Sequence, residues 1–253
     1  MKRAPTAVLF DLDETLSPSF QAIAPSMAVR LSALSTRLPV SIISGAGFER
    51  IERDVIAQLS GADFTNFFIF PNSSAECYSY KDGSWIQEYG LNLTDEERGR
   101  ITATLQQGER ELPDVVSAPL YGRRIVDRGA QIAFTIVGES APADIKASWD
   151  PDRAKRLRIR EYLAERLPEF DILTGGASTV DITKRGVNKT CGVLWLAKKL
   201  GCPASEMLYV GDALYKWGND EIVISTGIET RLISGPSETE KVIDELLSMV
   251  TEK

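Results

Sequence analysis

The run Val8-Leu9-Phe10 feeds directly into Asp11-Leu12-Asp13-Glu14-Thr15-Leu16, and this junction constrains the chain more than any other stretch. Consecutive apolar residues without polar alternation predict a strand buried on both faces, the pattern of an open parallel sheet. Ligands of such sheets sit in the crevice beyond the carboxyl ends of the strands. Acids placed there two residues apart repel each other and lose hydration, so the junction calls for a cation between them. A lone acid pair after a strand is usually only a turn. The residues downstream decide between the two readings.

Those residues continue an alternation of helix and strand. Residues 25–38 carry Met27, Leu31, Leu34 and Leu38 at helical spacing, and residues 39–43 predict a second strand. That strand ends in Ser44-Gly45-Ala46-Gly47, ahead of a helix starting near Phe48. A hydroxyl, glycine backbone N–H groups and a helix N-terminus make a small anion-binding turn. Residues 67–70 predict a third buried strand, and residues 78–85 a hairpin turning at Lys81-Asp82-Gly83.

From about Glu88 the character changes. Thr94-Asp95-Glu96-Glu97 predicts a helix start and a helix running to about Glu111. Residues 124–127 and 131–137 predict strands around Arg128-Gly129; Asp150-Pro151 is expected to cap a second helix; residues 171–173 and 179–182 predict two more strands. A repeated helix-strand-strand unit builds an antiparallel sheet with helices on one face. Alternation resumes at Gly186-Val187-Asn188-Lys189, with a helix over 190–200 and a strand over 207–210 that ends in Gly211-Asp212. Asn219-Asp220, a strand over 230–233 and a helix over 237–250 complete the chain. The expected fold is α/β, a Rossmann-like parallel-sheet core (residues 1–87 and 186–253) with an inserted α+β cap domain at 88–185.

Composition narrows the chemistry. The 253 residues include no histidine, which excludes Ser-His-Asp and Cys-His mechanisms and any histidine-ligated zinc. A net charge of -7 argues against a nucleic-acid partner. No apolar run approaches the ~20 residues of a membrane span. Met1-Lys2-Arg3 is a basic start, but Asp11 cuts short the apolar run behind it, so no signal peptide is expected. Cys77, Cys191 and Cys202 lack metal-ligand spacing and are expected as reduced thiols, which points to the cytoplasm. The strand ends assemble Asp11, Asp13, Ser44, Lys189, Asp212, Asn219 and Asp220, an oxygen-rich set suited to a hard cation, Mg²⁺. A carboxylate beside that metal can attack phosphorus.

Asp11-Leu12-Asp13-Glu14-Thr15, Ser44, Lys189 and Gly211-Asp212 through Asn219-Asp220, in this order, resemble the motifs of the haloacid dehalogenase superfamily of phosphotransferases. The segment between Ser44 and Lys189 resembles the α/β cap of its sugar-phosphate branch. Gly175-Gly176, Thr179-Val180-Asp181-Ile182, Gly186-Val187-Asn188-Lys189 and Gly211-Asp212-Ala213-Leu214-Tyr215 are most similar to eukaryotic-type phosphomannomutases and their bacterial phosphatase-like relatives. The resemblance implies Asp11 as nucleophile and Asp13 as general acid/base. It implies Mg²⁺ on Asp11, the Asp13 carbonyl and Asp212, with Asn219 and Asp220 in support. Ser44, Gly45 and Lys189 then hold the phosphate, while Arg128, Thr179 and Asp181 touch the distal part of a phosphorylated small molecule. Departures stand beside it: Glu14 replaces the usual glycine, Ser17-Pro18-Ser19-Phe20-Gln21 offers no arginine, and Glu139 lies near a second cap arginine position. A mutase must grip a bisphosphate at both ends, so these departures favour a sugar-phosphate phosphatase, with phosphomannomutase as the alternative. A monomer or homodimer is expected, without nucleic acid or membrane.

Overall fold

The computed structural model describes residues 4–216 and 218–250; the basic start Met1-Lys2-Arg3 lies outside them. Two compact units divide the chain, one formed by Met1–Gly90 with Lys189–Lys253 and the other by Leu91–Asn188. The first limit follows the last strand of the hairpin, which runs on to Gly90, and the second falls where α7 begins at Lys189.

The first unit opens with β1 (Val8–Phe10), α1 (Pro25–Ser35), β2 (Val40–Ile43), α2 (Phe48–Asp54), β3 (Phe67–Phe70) and the hairpin β4 (Glu76–Lys81) and β5 (Ser84–Gly90). The second unit holds α3 (Asp95–Glu111), α4 (Pro113–Val116), β6 (Ile125–Asp127), β7 (Gln131–Thr135), α5 (Ala143–Trp149), α6 (Ala154–Arg166), β8 (Phe170–Gly175) and β9 (Thr179–Lys184). The chain returns to the first unit with α7 (Lys189–Leu200), β10 (Leu208–Gly211), β11 (Glu229–Leu232) and α8 (Pro236–Met249).

In the first unit a seven-stranded sheet runs in the order β11-β10-β1-β2-β3-β4-β5. Its first five strands are mutually parallel, and β4 and β5 add an antiparallel edge. β1 sits between β10 and β2, where strand order reverses, so its carboxyl end marks the ligand position of an open α/β sheet. Both faces of β1 are covered. Val8 and Phe10 pack with Met27, Leu31 and Leu34 of α1 and with Val242, Ile243 and Leu246 of α8. Leu9 turns to the opposite layer, with Val193 and Leu196 of α7. Full burial of each such side chain contributes about 1.5–3 kcal/mol, which fixes the strand that carries Asp11.

The second unit has a four-stranded antiparallel sheet, β6-β7-β9-β8. Ile132, Phe134, Ile172, Val180 and Ile182 on one face pack against Ile101 and Leu105 of α3 and Ile159 and Leu163 of α6. The register Ala133↔Asp181↔Leu173 sends Gln131, Thr135, Asp181 and Thr183 to the other face. The expected start of α3 is a capping box: Thr94 Oγ1 accepts from the Glu97 N–H, and the Glu97 carboxylate accepts from the Thr94 N–H. Asp150-Pro151 does not occupy the cap position of α6, which begins at Ala154 behind a left-handed Arg153. The Asp150 carboxylate instead reaches forward to the N–H groups of Lys155 and Arg156, doing the work of a cap from outside the helix. The short helices α4 and α5 were not expected, since four and seven residues carry too little periodicity to read.

α7 owes its seat to Gly192. A Cβ there would lie 2.6 Å from Ser74 Oγ, 3.0 Å from Ile43 and 3.1 Å from Phe70. Ser74 is itself left-handed, at φ 70°. Gly192→Ala gains about 1 kcal/mol of helix propensity but overpacks this contact at a cost of about 1–3 kcal/mol, so the melting temperature should fall. Ser74→Gly removes the colliding oxygen and relieves the backbone, so the double variant should recover the loss. Thermal denaturation of the single and double variants checks this; a Gly192→Ala protein as stable as its parent would contradict the close approach.

Candidate active site

Asp11 follows β1 directly and is 4% exposed. Its N–H donates to the Val210 carbonyl at 3.0 Å, locking the ends of β1 and β10 together. Lys189, the first residue of α7 and 3% exposed, drives its ammonium between two acids. Nζ lies 2.6 Å from Asp11 Oδ1 and 2.5 Å from Asp220 Oδ1. The Tyr209 hydroxyl, rising from β10, donates to the same Asp220 oxygen at 2.6 Å and accepts from Lys189 at 3.2 Å. Asp220 Oδ2 accepts from the Ala213 N–H at 3.2 Å, so the turn after β10 folds back on its own strand end. Gly211 permits that return, since a Cβ there would lie 2.4 Å from Asp220 Oδ2. Asp212 stands half-buried beside it, and the Thr15 hydroxyl donates to its Oδ1 at 3.4 Å.

Charge is unbalanced here. Carboxylate oxygens of Asp11, Asp212 and Asp220 lie within 4.8 Å of one another, with one ammonium among them. Burial pushes the Asp11 carboxyl well above its ordinary range despite the pull of Lys189. Burial, reinforced by Asp220, pushes Asp212 up to about 6. Burial disfavours the Lys189 ammonium, yet Asp11 and Asp220 outweigh it and hold the proton more tightly than usual. Such a site holds more negative than positive charge. Its ligand atoms are hard oxygens without thiolate or imidazole, and they fit a small divalent cation of the Mg²⁺ type. Asn219 lies half-buried in the same turn, one residue before Asp220.

Ser44 directly follows β2 and is buried. Its Oγ accepts from the Ala46 N–H at 3.1 Å, which leaves the hydroxyl proton available to an anion. Gly45 follows within this turn. The backbone is held by β3 and its exit: Ser44 N–H donates to the Phe70 carbonyl, and Ser73 N–H donates to the Ser44 carbonyl. Asn72, Ser73 and Ser74 are consecutive left-handed residues at that exit, a concentration of backbone strain beside the candidate anion turn.

Asp13 is turned to a different partner. Its Oδ1 accepts from Arg50 Nη2 at 2.5 Å and from the Phe20 N–H at 3.0 Å, while Oδ2 accepts from Arg50 Nη1 at 3.0 Å. Glu14 occupies a left-handed position, φ 58°, and its carboxylate accepts from the Ser19 N–H at 2.8 Å. That conformation explains why glycine suits the position in the resembling family, and Glu14 holds it at a backbone cost.

In the second unit, Arg128 sits in the turn between β6 and β7, and its charge acts on Asp181 of β9. Asp181 is buried, accepts from Gln131 Nε2 at 2.8 Å, and is pushed up to about 6 by burial. A Cβ on Gly175 would lie 2.3 Å from the Asp181 carboxylate, which accounts for the glycine in that motif. Thr179 pairs with Gly175 and Thr135 across the strands. Glu139 is engaged by Arg123, at 2.7 and 3.1 Å, so it does not stand as a bare negative charge. Arg50, Tyr209 and Arg123 escaped the sequence reading, whereas Thr15 belongs to the first motif.

No family model matches the chain. Phosphomannomutase 2 of Dictyostelium discoideum is 30% identical over 222 residues, covering 85% of each chain. The phosphomannomutase of Spinacia oleracea is 24% identical over 248 residues, covering 94% of each. Among solved structures, the C-terminal domain of trehalose-6-phosphate phosphatase from C. albicans superposes with a TM-score of 0.67 at 15% identity, over 99% of this chain and 95% of that one. An IMP-nucleotidase of Plasmodium falciparum superposes with a TM-score of 0.69 at 17% identity, over 97% and 71%. Fold and site together define an α/β enzyme of the haloacid dehalogenase superfamily with an inserted cap. Within that superfamily the chain belongs to the phosphomannomutase family, a statement of descent that does not by itself specify a reaction.

Tyr209→Phe tests how the site is held. It strips one partner each from the buried Asp220 carboxylate and Lys189 ammonium, a loss of about 1–3 kcal/mol for groups left short of hydrogen bonds. Chemical denaturation should register that loss, and a variant as stable as the parent would show that the hydroxyl does not support the cluster.

Proposed function

We propose that the protein is a Mg²⁺-dependent phosphohydrolase acting on a sugar phosphate through an aspartyl-phosphate. The observation that carries this reading is the contact of Lys189 with both Asp11 and Asp220, with Asp212 in the same carboxylate cluster. Lys189 fixes the Asp11 carboxylate by one oxygen and supplies positive charge where a phosphoryl group gains negative charge. Asp11 attacks phosphorus, the bond to the sugar oxygen breaks, and that oxygen takes a proton from Asp13. Water then attacks the acyl phosphate and gives its proton to Asp13, and inorganic phosphate departs. The Ser44 hydroxyl, the Gly45 backbone and Lys189 hold the phosphoryl oxygens. Mg²⁺ held by Asp11, the Asp13 carbonyl and Asp212, with Asn219 and Asp220 in support, would neutralise phosphate charge and align the ester.

The sugar is assigned to the polar face of the second unit. Arg128 in the turn before β7, Asp181 midway along β9 and Thr179 at the far end of the β7–β9 pair supply a cation, an acid and a hydroxyl, a donor and acceptor set suited to hydroxyl groups. Membership of the phosphomannomutase family favours a second reading, isomerisation of a hexose phosphate. Isomerisation requires cations that grip a second phosphate while the intermediate turns over. Here Glu139 already occupies Arg123, which supports hydrolysis.

Asp11→Asn cannot form the acyl phosphate and should lower turnover by several orders of magnitude with the fold retained. Phosphate release from a panel of sugar phosphates, with Mg²⁺ and with a chelator, measures both this loss and the metal requirement. Near-normal turnover in Asp11→Asn, or full activity under chelation, would reject the mechanism.

With mannose 1-phosphate and a catalytic amount of the 1,6-bisphosphate, inorganic phosphate should exceed the 6-phosphate sugar. Glu139→Ala releases Arg123 and should raise the ratio of 6-phosphate to inorganic phosphate. A parent protein that forms the 6-phosphate faster makes isomerisation the correct reading, and an unchanged ratio in the variant removes the Arg123–Glu139 pair from substrate selection.

A further inference from the structure

The second unit holds a buried polar pair that the sequence motifs leave unexplained. Gln131 opens β7, is fully buried, and its Nε2 donates to Asp181 Oδ1 at 2.8 Å. The register shows what this contact demands. Asp181 stands directly opposite Ala133, whereas Gln131 stands opposite Thr183, two places along the strand pair on the same face. Such diagonal neighbours lie about 7–8 Å apart, a gap that a glutamine spans and an asparagine falls short of. Ala133 sets only a methyl group beside the acid, so the amide can reach it. On the other side Asp181 stands opposite Leu173, and its Oδ2 lies over Gly175, where a Cβ would come within 2.3 Å. Gly175 pairs in turn with Thr179. One carboxylate oxygen is thus pinned towards the start of β7, and the other is aimed towards the Thr179 end. Filling the space alone would need no amide, since methionine has the same length and packs adaptably.

We infer that Gln131 is the positioning residue for Asp181, fixing the rotation of that carboxylate so that Oδ2 accepts from a hydroxyl group of the phosphorylated sugar. The inference rests on the sugar-binding role proposed above for Asp181. A hydrogen bond to an ionised acceptor is short and strongly directional, so one amide donor sets the plane of the whole carboxylate. An acceptor already held in place loses no rotational freedom when the sugar arrives, and that saving appears as affinity. The contact lies on the sugar and away from the reacting phosphorus. It therefore acts alike in the ground state and the transition state, and its loss falls on KM rather than kcat. A phosphate ester whose leaving group carries no further hydroxyl gains nothing from it.

The experiment measures kcat and KM with Mg²⁺ on a panel of hexose phosphates and on phenyl phosphate, for the parent, Gln131→Met, Gln131→Asn, Asp181→Ala and the double variant Gln131→Met with Asp181→Ala. Gln131→Met should raise KM for hexose phosphates by about 3–10-fold relative to phenyl phosphate, with kcat little changed. Gln131→Asn should do the same, because the shorter amide cannot reach Asp181, and it replaces Gln131→Met if that variant folds poorly. KM does not depend on the fraction of folded enzyme, so partial misfolding cannot imitate the result. Once Asp181 is gone, Gln131→Met should change KM no further, since a residue that acts only through the acid has nothing left to position. An equal rise on phenyl phosphate, no rise on any hexose phosphate, or a full further rise in the Asp181→Ala background would overturn the assignment while leaving the phosphohydrolase reading intact. An Asp181→Ala protein with the parent's KM for every hexose phosphate would remove Asp181 from sugar binding, and Gln131 with it. Absence of phosphate release by the parent from any ester would instead reject the phosphohydrolase reading, and the role of Gln131 with it.

Discussion

A single ammonium holds the centre of this molecule together. Lys189 enters at the start of α7 and bridges Asp11, at the end of β1, to Asp220, in the turn after β10. Burying such charges costs several kcal/mol per ion, and their attraction offsets this only when hydrogen bonds satisfy the remaining lone pairs. Tyr209 and the Ala213 N–H supply those bonds on the Asp220 side. Two acids already outnumber the one ammonium and Asp212 adds a third; burial first, and then that excess, raises the carboxyl groups of Asp11 and Asp212. A site built this way is poised for a further cation and for an anionic substrate that arrives with it.

Backbone conformation serves the same end. Gly211 lacks a Cβ where Asp220 returns, Gly192 lets α7 approach β2 and β3, and Glu14 accepts a left-handed turn immediately after the acids. Asn72, Ser73 and Ser74 accept the same conformation in succession at the end of β3. Strain of this kind persists only where the surrounding structure fixes it, and here it clusters near the strand ends that hold the acid cluster and the Ser44 turn. The hydrophobic layers on both faces of β1 provide that fixation.

Much of this was legible in the chain itself. β1, β2, β3 and β10 are short apolar runs ending in polar residues, and their buried-strand pattern leads directly to Asp11, Ser44 and Asp212. Lys189 was legible only through motif order, because a lysine at a helix start ordinarily meets solvent. Tyr209 was hidden for the opposite reason: inside Leu208–Gly211 it reads as one more core ring, and nothing in the run marks its hydroxyl as bonded to Asp220. Arg50 resembles any charge on an amphipathic helix until the fold turns it onto Asp13. Glu139 illustrates the converse. Alone in the sequence it reads as a repelling charge, whereas in the structure Arg123, sixteen residues away, pairs with it. Pairings across a sheet depend on register, which local pattern does not encode.

The claim on which the chemistry turns is that Asp11 becomes phosphorylated. The most direct measurement is to quench the protein in acid during turnover of a sugar phosphate with Mg²⁺, reduce it with borohydride, and map its peptides by mass. An acyl phosphate at Asp11 is reduced to homoserine, so the expected result is homoserine at position 11 alone, dependent on substrate. Reduction at another carboxylate, or turnover with no reducible residue under conditions that trap an acyl phosphate, would contradict it.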